Sequence, residues 1–180
     1  MNSHRNFNEL LKKLGADGVS HLNGSLEYHL EGTAELLRSW GASDAICIAG
    51  LFHAVYSTDG FPLELISLDL RDKISDLIGA ESEELVYLYC ACDRDVFYSQ
   101  IGYDKQNLLP NRFTQEKVLI KNHQLCALCE ITFANELQIA DGNPAFINQY
   151  GEELRSLFER MHGLVSTGAF KKYKEVLCAA

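Results

Sequence analysis

With 180 residues, 47% of them hydrophobic and 23% charged, the chain has the length and composition of one globular domain that buries a core without disulfides or a structural metal. Its formal charge of −9 argues against nucleic acid or an anionic membrane surface as the main partner, because both require clustered Lys and Arg. No apolar run approaches the ~18–20 residues that span a bilayer, and residues 1–20 lack the uninterrupted apolar core of a signal peptide, so a cytoplasmic location without membrane contact is expected.

Residues 5–14 place Phe7, Leu10, Leu11 and Leu14 at helical spacing, with Gly15 as terminator, and predict a short first helix. The Gly-rich segment after it reads as a loop carrying His21. From about Ser25 to Trp40, Leu26, Leu30, Leu37 and Trp40 form an apolar stripe that also holds His29 and Thr33, so His29 faces the core. Gly41 ends this helix and Ser43 or Asp44 caps the next, an almost wholly apolar central segment with His53 near its end, followed by a turn at STDGFP.

Residues 63–79 read as one or two short helices ending at Gly79, and Glu81 to about Tyr98 as a longer one. An ordered loop follows, with a short strand or hairpin at 112–120 where Val118, Leu119 and Ile120 raise β propensity. Asn122 can cap a helix that the turn DGNP at 141–144 stops, and two amphipathic helices over 145–161 and 166–178 close the chain. There is no internal repeat and no linker, so residues 1–180 read as one all-α domain of about seven to nine helices. The six cysteines fall mostly inside apolar helical patterns and read as free thiols. His123, Cys126 and Cys129 lie at i, i+3 and i+6 on one helix, spread over about 9 Å of rise, which suits core cysteines better than a zinc site.

A lone histidine on a buried stripe is ordinarily a neutral imidazole bonded to a carbonyl or hydroxyl. Two on consecutive helices joined by a tight turn come to the same end of an antiparallel pair, where His29 and His53 can share a metal. The pattern of a histidine early in one helix, a Gly turn, then AGLFH with its histidine 24 residues after the first resembles the HD-domain superfamily of helical metal-dependent phosphohydrolases. The resemblance covers roughly residues 20–140 and implies His29 and His53 as metal ligands, with ITFANELQ at 131–138 as the distant helical segment that carries the family's last aspartate. Two carboxylates depart from the pattern: position 54 is Ala54, and the last aspartate is Asn135.

His21, or the amide of Asn135, is expected to complete a metal shell with His29 and His53, the metal being zinc or iron. Tyr56, Thr58 and Asp59, just beyond His53, border the same pocket in this reading. Asp93 is expected to orient a ligand or water, Arg94 and Arg112 to hold an anionic group, and Glu136 or Asp59 to add a carboxylate, whereas Glu130 reads as solvated. Three functions follow. The first is hydrolysis of a small anionic, phosphorylated metabolite by metal-bound water; the second is iron-dependent oxygen chemistry as in HD-like proteins resembling myo-inositol oxygenase; the third is a catalytically inactive HD-like module that binds a ligand or a protein.

Overall fold

The computed structural model describes residues 7, 9, 11, 12, 16–21, 24–103 and 106–178, with the backbone alone at 17 and 21. Of the helix expected over 5–14, Phe7, Glu9, Leu11 and Lys12 are described and all four are helical; the rest of that expectation lies outside the described residues. A minimal hairpin, β1 (Ser20–His21) and β2 (Gly24–Ser25), leads into α1 (Leu26–Ser39). Ser25 caps α1 by accepting from the Tyr28 N–H at 3.2 Å. The buried residues of α1 are Leu26, His29, Leu30, Thr33, Ala34 and Leu37, the stripe that the sequence spacing gives. A tight turn at Gly41, whose φ of 80° suits glycine, joins α1 to α2 (Asp44–Phe52), capped by Ser43.

The segment after α2 departs from the expected turn and helix. Tyr56–Thr58 (β3) and Phe61–Glu64 (β4) form an antiparallel hairpin with an irregular register between Tyr56 and Thr58, where Ser57 has a φ of 63°. Only then do a 3-10 turn (Leu68–Leu70) and α3 (Arg71–Ile78) follow. The long helix expected from 81 to 98 is two: α4 (Ala80–Ala91) stops at an extended Cys92, and Asp93 caps α5 (Arg94–Gln100) by accepting from the Val96 N–H at 3.1 Å. The hairpin near 112–120 is present but begins earlier, with β5 at Leu108–Asn111 paired to β6 at Glu116–Leu119, so the last part of the expected loop is strand.

The core is organised around α6 (Asn122–Ala140), which is buried along most of its length and packs on α1, α2, α4, α7 (Pro144–Arg160) and α8 (Thr167–Leu177). Phe133 of α6 stacks on Phe158 of α7 with centroids 3.9 Å apart, and Tyr173 of α8 meets both rings edge-on. Glu130, expected to be solvated, is buried: its carboxylate accepts from the Ser166 N–H at 2.9 Å and the Ser166 hydroxyl at 2.5 Å, fixing the residue that caps α8. Among the described residues the class is mainly α-helical, with three two-stranded hairpins at the margins. No helix among them is long and apolar enough to cross a membrane.

Candidate functional site at the end of the histidine helices

The antiparallel packing of α1 and α2 brings His29, at the start of one, against His53, at the end of the other, with ring centroids 5.2 Å apart and nearly perpendicular. Both are 2% exposed. The His53 ring also meets Tyr89 of α4 edge-on at 5.4 Å. Its Nδ1 lies 2.7 Å from the Gly50 carbonyl oxygen. A carbonyl only accepts, so Nδ1 carries the proton and a neutral His53 keeps its lone pair on Nε2.

His29 is held differently. Its Nε2 lies 3.0 Å from Asn135 Oδ1 and its Nδ1 2.6 Å from Gln138 Oε1, both from α6. Burial lowers its pKa, opposed by the Gln138 and Asn135 hydrogen bonds and assisted by the charge of Arg94. Two amide oxygens on one imidazole suit the doubly protonated ring, and a neutral ring is satisfied by rotating the Gln138 amide end for end. Asn135 has less freedom, because its Nδ2 donates to Glu136 Oε1 at 2.8 Å. Burial pushes the Glu136 carboxyl up, against the pull of Arg94 and the Asn135 hydrogen bond.

These side chains floor a cavity of about 670 Å³. Its polar lining includes His29, His53, Thr58, Arg94, Asn135 and Glu136, and its apolar lining Leu26, Ala54, Phe61, Ile139, Phe146, Leu154 and Leu157. Tyr98, Tyr150, Asp95, Glu153 and Arg160 line it too, with Gly60 and Ser99. The volume and the mixture of lining groups suit a small organic ligand.

The structure therefore brings together His29, His53, Thr58, Arg94, Asn135 and Glu136 from the candidates named by sequence. Of the other candidates whose side chains are described, it brings none to the cavity lining. Tyr56 is fully buried and its hydroxyl donates to Glu83 Oε1 at 3.1 Å, away from the cavity, in a cluster where Arg71 holds the same carboxylate through two bonds. Asp59 is exposed and accepts from the Arg94 backbone N–H at 3.1 Å, and Asp93 is a helix cap. Arg112 is a structural clamp: its Nε donates to the Cys90 carbonyl at 2.8 Å and its Nη2 to Ser57 Oγ at 2.7 Å. His21 pairs with Gly24 through the backbone, and its side chain lies outside the described residues.

The described residues do not fit a metal ion. Both His29 nitrogens are engaged with amides, the two carboxylates of the HD pattern are a methyl and an amide, and among the described residues no group of three or more His, Cys, Asp or Glu is placed to hold one. The reading from sequence also missed Gln138, although a second amide three residues after Asn135 on the same helix was its signal. The α7 wall was missed as well; its signal was the apolar face of an amphipathic helix already expected there.

Among known families, a model described as a domain of unknown function (DUF6817) matches residues 10–94, a span that holds α1, α2 and both cavity histidines and ends at Arg94. No curated protein and no solved structure matches the chain.

Proposed function

We propose that this chain is a degenerate HD-like domain that binds a small organic molecule in the cavity between α1, α2, α6 and α7 and does so without a metal. The observation that carries the reading is the pair of amide contacts on His29, from Asn135 and Gln138, at the floor of a cavity of about 670 Å³. An imidazole whose two nitrogens are spoken for offers no lone pair to a cation, and a methyl and an amide stand at the two positions where the HD pattern has charged ligands. The HD-like part of the reading draws support from placement: the early histidine, the residue pair at the end of the next helix and the distant α6 position meet at one end of the bundle.

The test combines two measurements on untagged protein. Elemental analysis is expected to find metal well below one per chain, in the wild type as in His29→Ala and His53→Ala. A thermal-shift and ligand-observed NMR screen of short-chain carboxylates, alcohols, amines and phosphate monoesters is expected to give saturable binding without turnover, lost when Ala54→Trp fills the cavity floor. Near-stoichiometric zinc or iron that disappears in both histidine variants would overturn the proposal in favour of hydrolysis or oxygen chemistry.

A further inference from the structure

Among the described residues, the guanidinium groups in and around the cavity wall other than that of Arg94 donate hydrogen bonds within the protein, although Arg160 Nε itself has no partner. Arg71 is paired with Glu83, Arg112 with the Cys90 carbonyl and Ser57, and Arg160 donates to Ser156 Oγ at 2.8 Å and the Tyr98 carbonyl at 2.9 Å. The Arg94 guanidinium makes no ion pair and no hydrogen bond among the described residues. It is nevertheless fixed in place. Its Cζ sits 5.0 Å over the Tyr89 ring, and on another side a Cβ built on Gly60 would stand 3.4 Å from Nη1, so a ring and the β3–β4 turn hold the fork in the cavity wall.

We infer, on the strength of the binding reading above, that the ligand is a monocarboxylate with an apolar body, its carboxylate on Arg94 and its body along Phe61, Ile139, Phe146, Leu154 and Leu157. A planar guanidinium with unused donors matches a planar carboxylate through two parallel hydrogen bonds. A single anionic charge is what the rest of the wall tolerates. Asp95 and Glu153 also line the cavity, and both Arg160 Nη donors are used on Ser156 and the Tyr98 carbonyl, so the second charge of a phosphate monoester finds two carboxylates opposing it and, among the described residues, no second free guanidinium fork. Glu136 feels the Arg94 charge yet lies beyond ion-pair distance, and burial favours its neutral form, so it leaves Arg94 available to an incoming anion. The apolar residues on α6, α7 and β4 supply the opposite chemistry, a surface that gains from covering a hydrocarbon.

Isothermal titration calorimetry of the full chain with octanoate, octan-1-ol and octyl phosphate tests the inference. Octanoate is expected to bind one per chain and at least about tenfold more tightly than octan-1-ol, as a charge-assisted bidentate contact requires. Octyl phosphate is expected to bind more weakly than octanoate. From butanoate to octanoate the affinity should climb by up to about fourfold for each methylene. Arg94→Gln should bring octanoate down to the octan-1-ol level, and Arg94→Lys should keep part of the preference. If the Arg94 variants do not fold, the wild-type comparison still decides. Octanoate no tighter than octan-1-ol, or weaker than octyl phosphate, overturns the monocarboxylate inference and leaves the binding reading standing. Failure of all three probes also overturns it, and the wider metabolite screen then judges the binding reading separately.

Discussion

Asn135 Oδ1 stands 3.0 Å from His29 Nε2, while Nδ2 of the same amide donates to Glu136 at 2.8 Å. One side chain on α6 thus orients both the buried imidazole of α1 and the carboxyl beside it. An amide does this with no charge of its own, which separates the arrangement from an aspartate in a metal shell.

Asn135→Leu keeps the approximate volume and removes both contacts. His29 Nε2 and Glu136 then lose a partner inside the protein, and an orphaned buried polar group costs about 1–3 kcal/mol. Urea denaturation is expected to show a loss in that range with an unchanged m-value. A variant as stable as the wild type would mean that the floor of the cavity is not held by this amide.

The two histidines were legible because each sits on an apolar helical stripe and a four-residue turn leaves only one way to pack the helices that carry them. Asn135 was legible through the family resemblance alone. Residues whose partners lie far along the chain were not. Arg112 reads as a loop arginine until Ser57, 55 residues earlier, folds beneath it, and Glu130 reads as solvated until Ser166, 36 residues later, arrives at its carboxylate. The β3–β4 hairpin has strands of three and four residues with a proline in the second, too short for an alternating pattern to emerge from the turn residues around it.

The pH dependence of stability follows from Glu136. Its folded pKa is raised above the ordinary 4.5 by burial, so the folded state holds the proton more tightly than the unfolded chain. The associated stability is complete below 4.5 and is lost as pH rises through the folded value. Glu136→Gln cannot ionise and still offers Oε1 to the Asn135 amide. It is expected to be more stable than the wild type at neutral pH, with the difference closing below 4.5. His29 acts in the opposite sense: its pKa is lowered from 6.5 mainly by burial, so its contribution is present above 6.5 and is lost as pH falls through the folded value. Urea midpoints across pH for wild type and Glu136→Gln separate the two groups, and parallel curves would contradict the assignment to Glu136.

Gly50 of α2 packs directly against α1. A Cβ there would overlap Cδ1 of Leu37, which is fully buried, and would touch Thr33 Cγ2 at 3.6 Å. The buried Leu37 must shift to make room, and Gly50→Ala should cost about 1–3 kcal/mol. The Gly50 carbonyl also anchors His53 Nδ1, so the displacement reaches the site. In a Leu37→Ala background the same change should cost markedly less, and a double-mutant cycle by urea denaturation reads the coupling. Additive effects would show that the two helices do not press on each other at this point.

Restoring the missing carboxylates tests the HD-like reading directly. Ala54 is 3% exposed and lines the cavity beside His53, while Asn135 contacts His29. With Ala54→Asp and Asn135→Asp together, two imidazoles and two carboxylates converge on one end of the bundle, a donor set and charge suited to a divalent ion. Without metal, two added buried carboxylates repel each other and lower the melting temperature; a bound ion reverses that by favouring the folded state alone. The double variant is therefore expected to be the less stable protein in chelator, to gain thermal stability on adding zinc or manganese, and to retain about one metal per chain after gel filtration. The wild type and each single variant should retain little. A folded double variant that neither binds metal nor responds to it would mean that these positions do not share the geometry of an HD centre, and the family resemblance would lose its principal support.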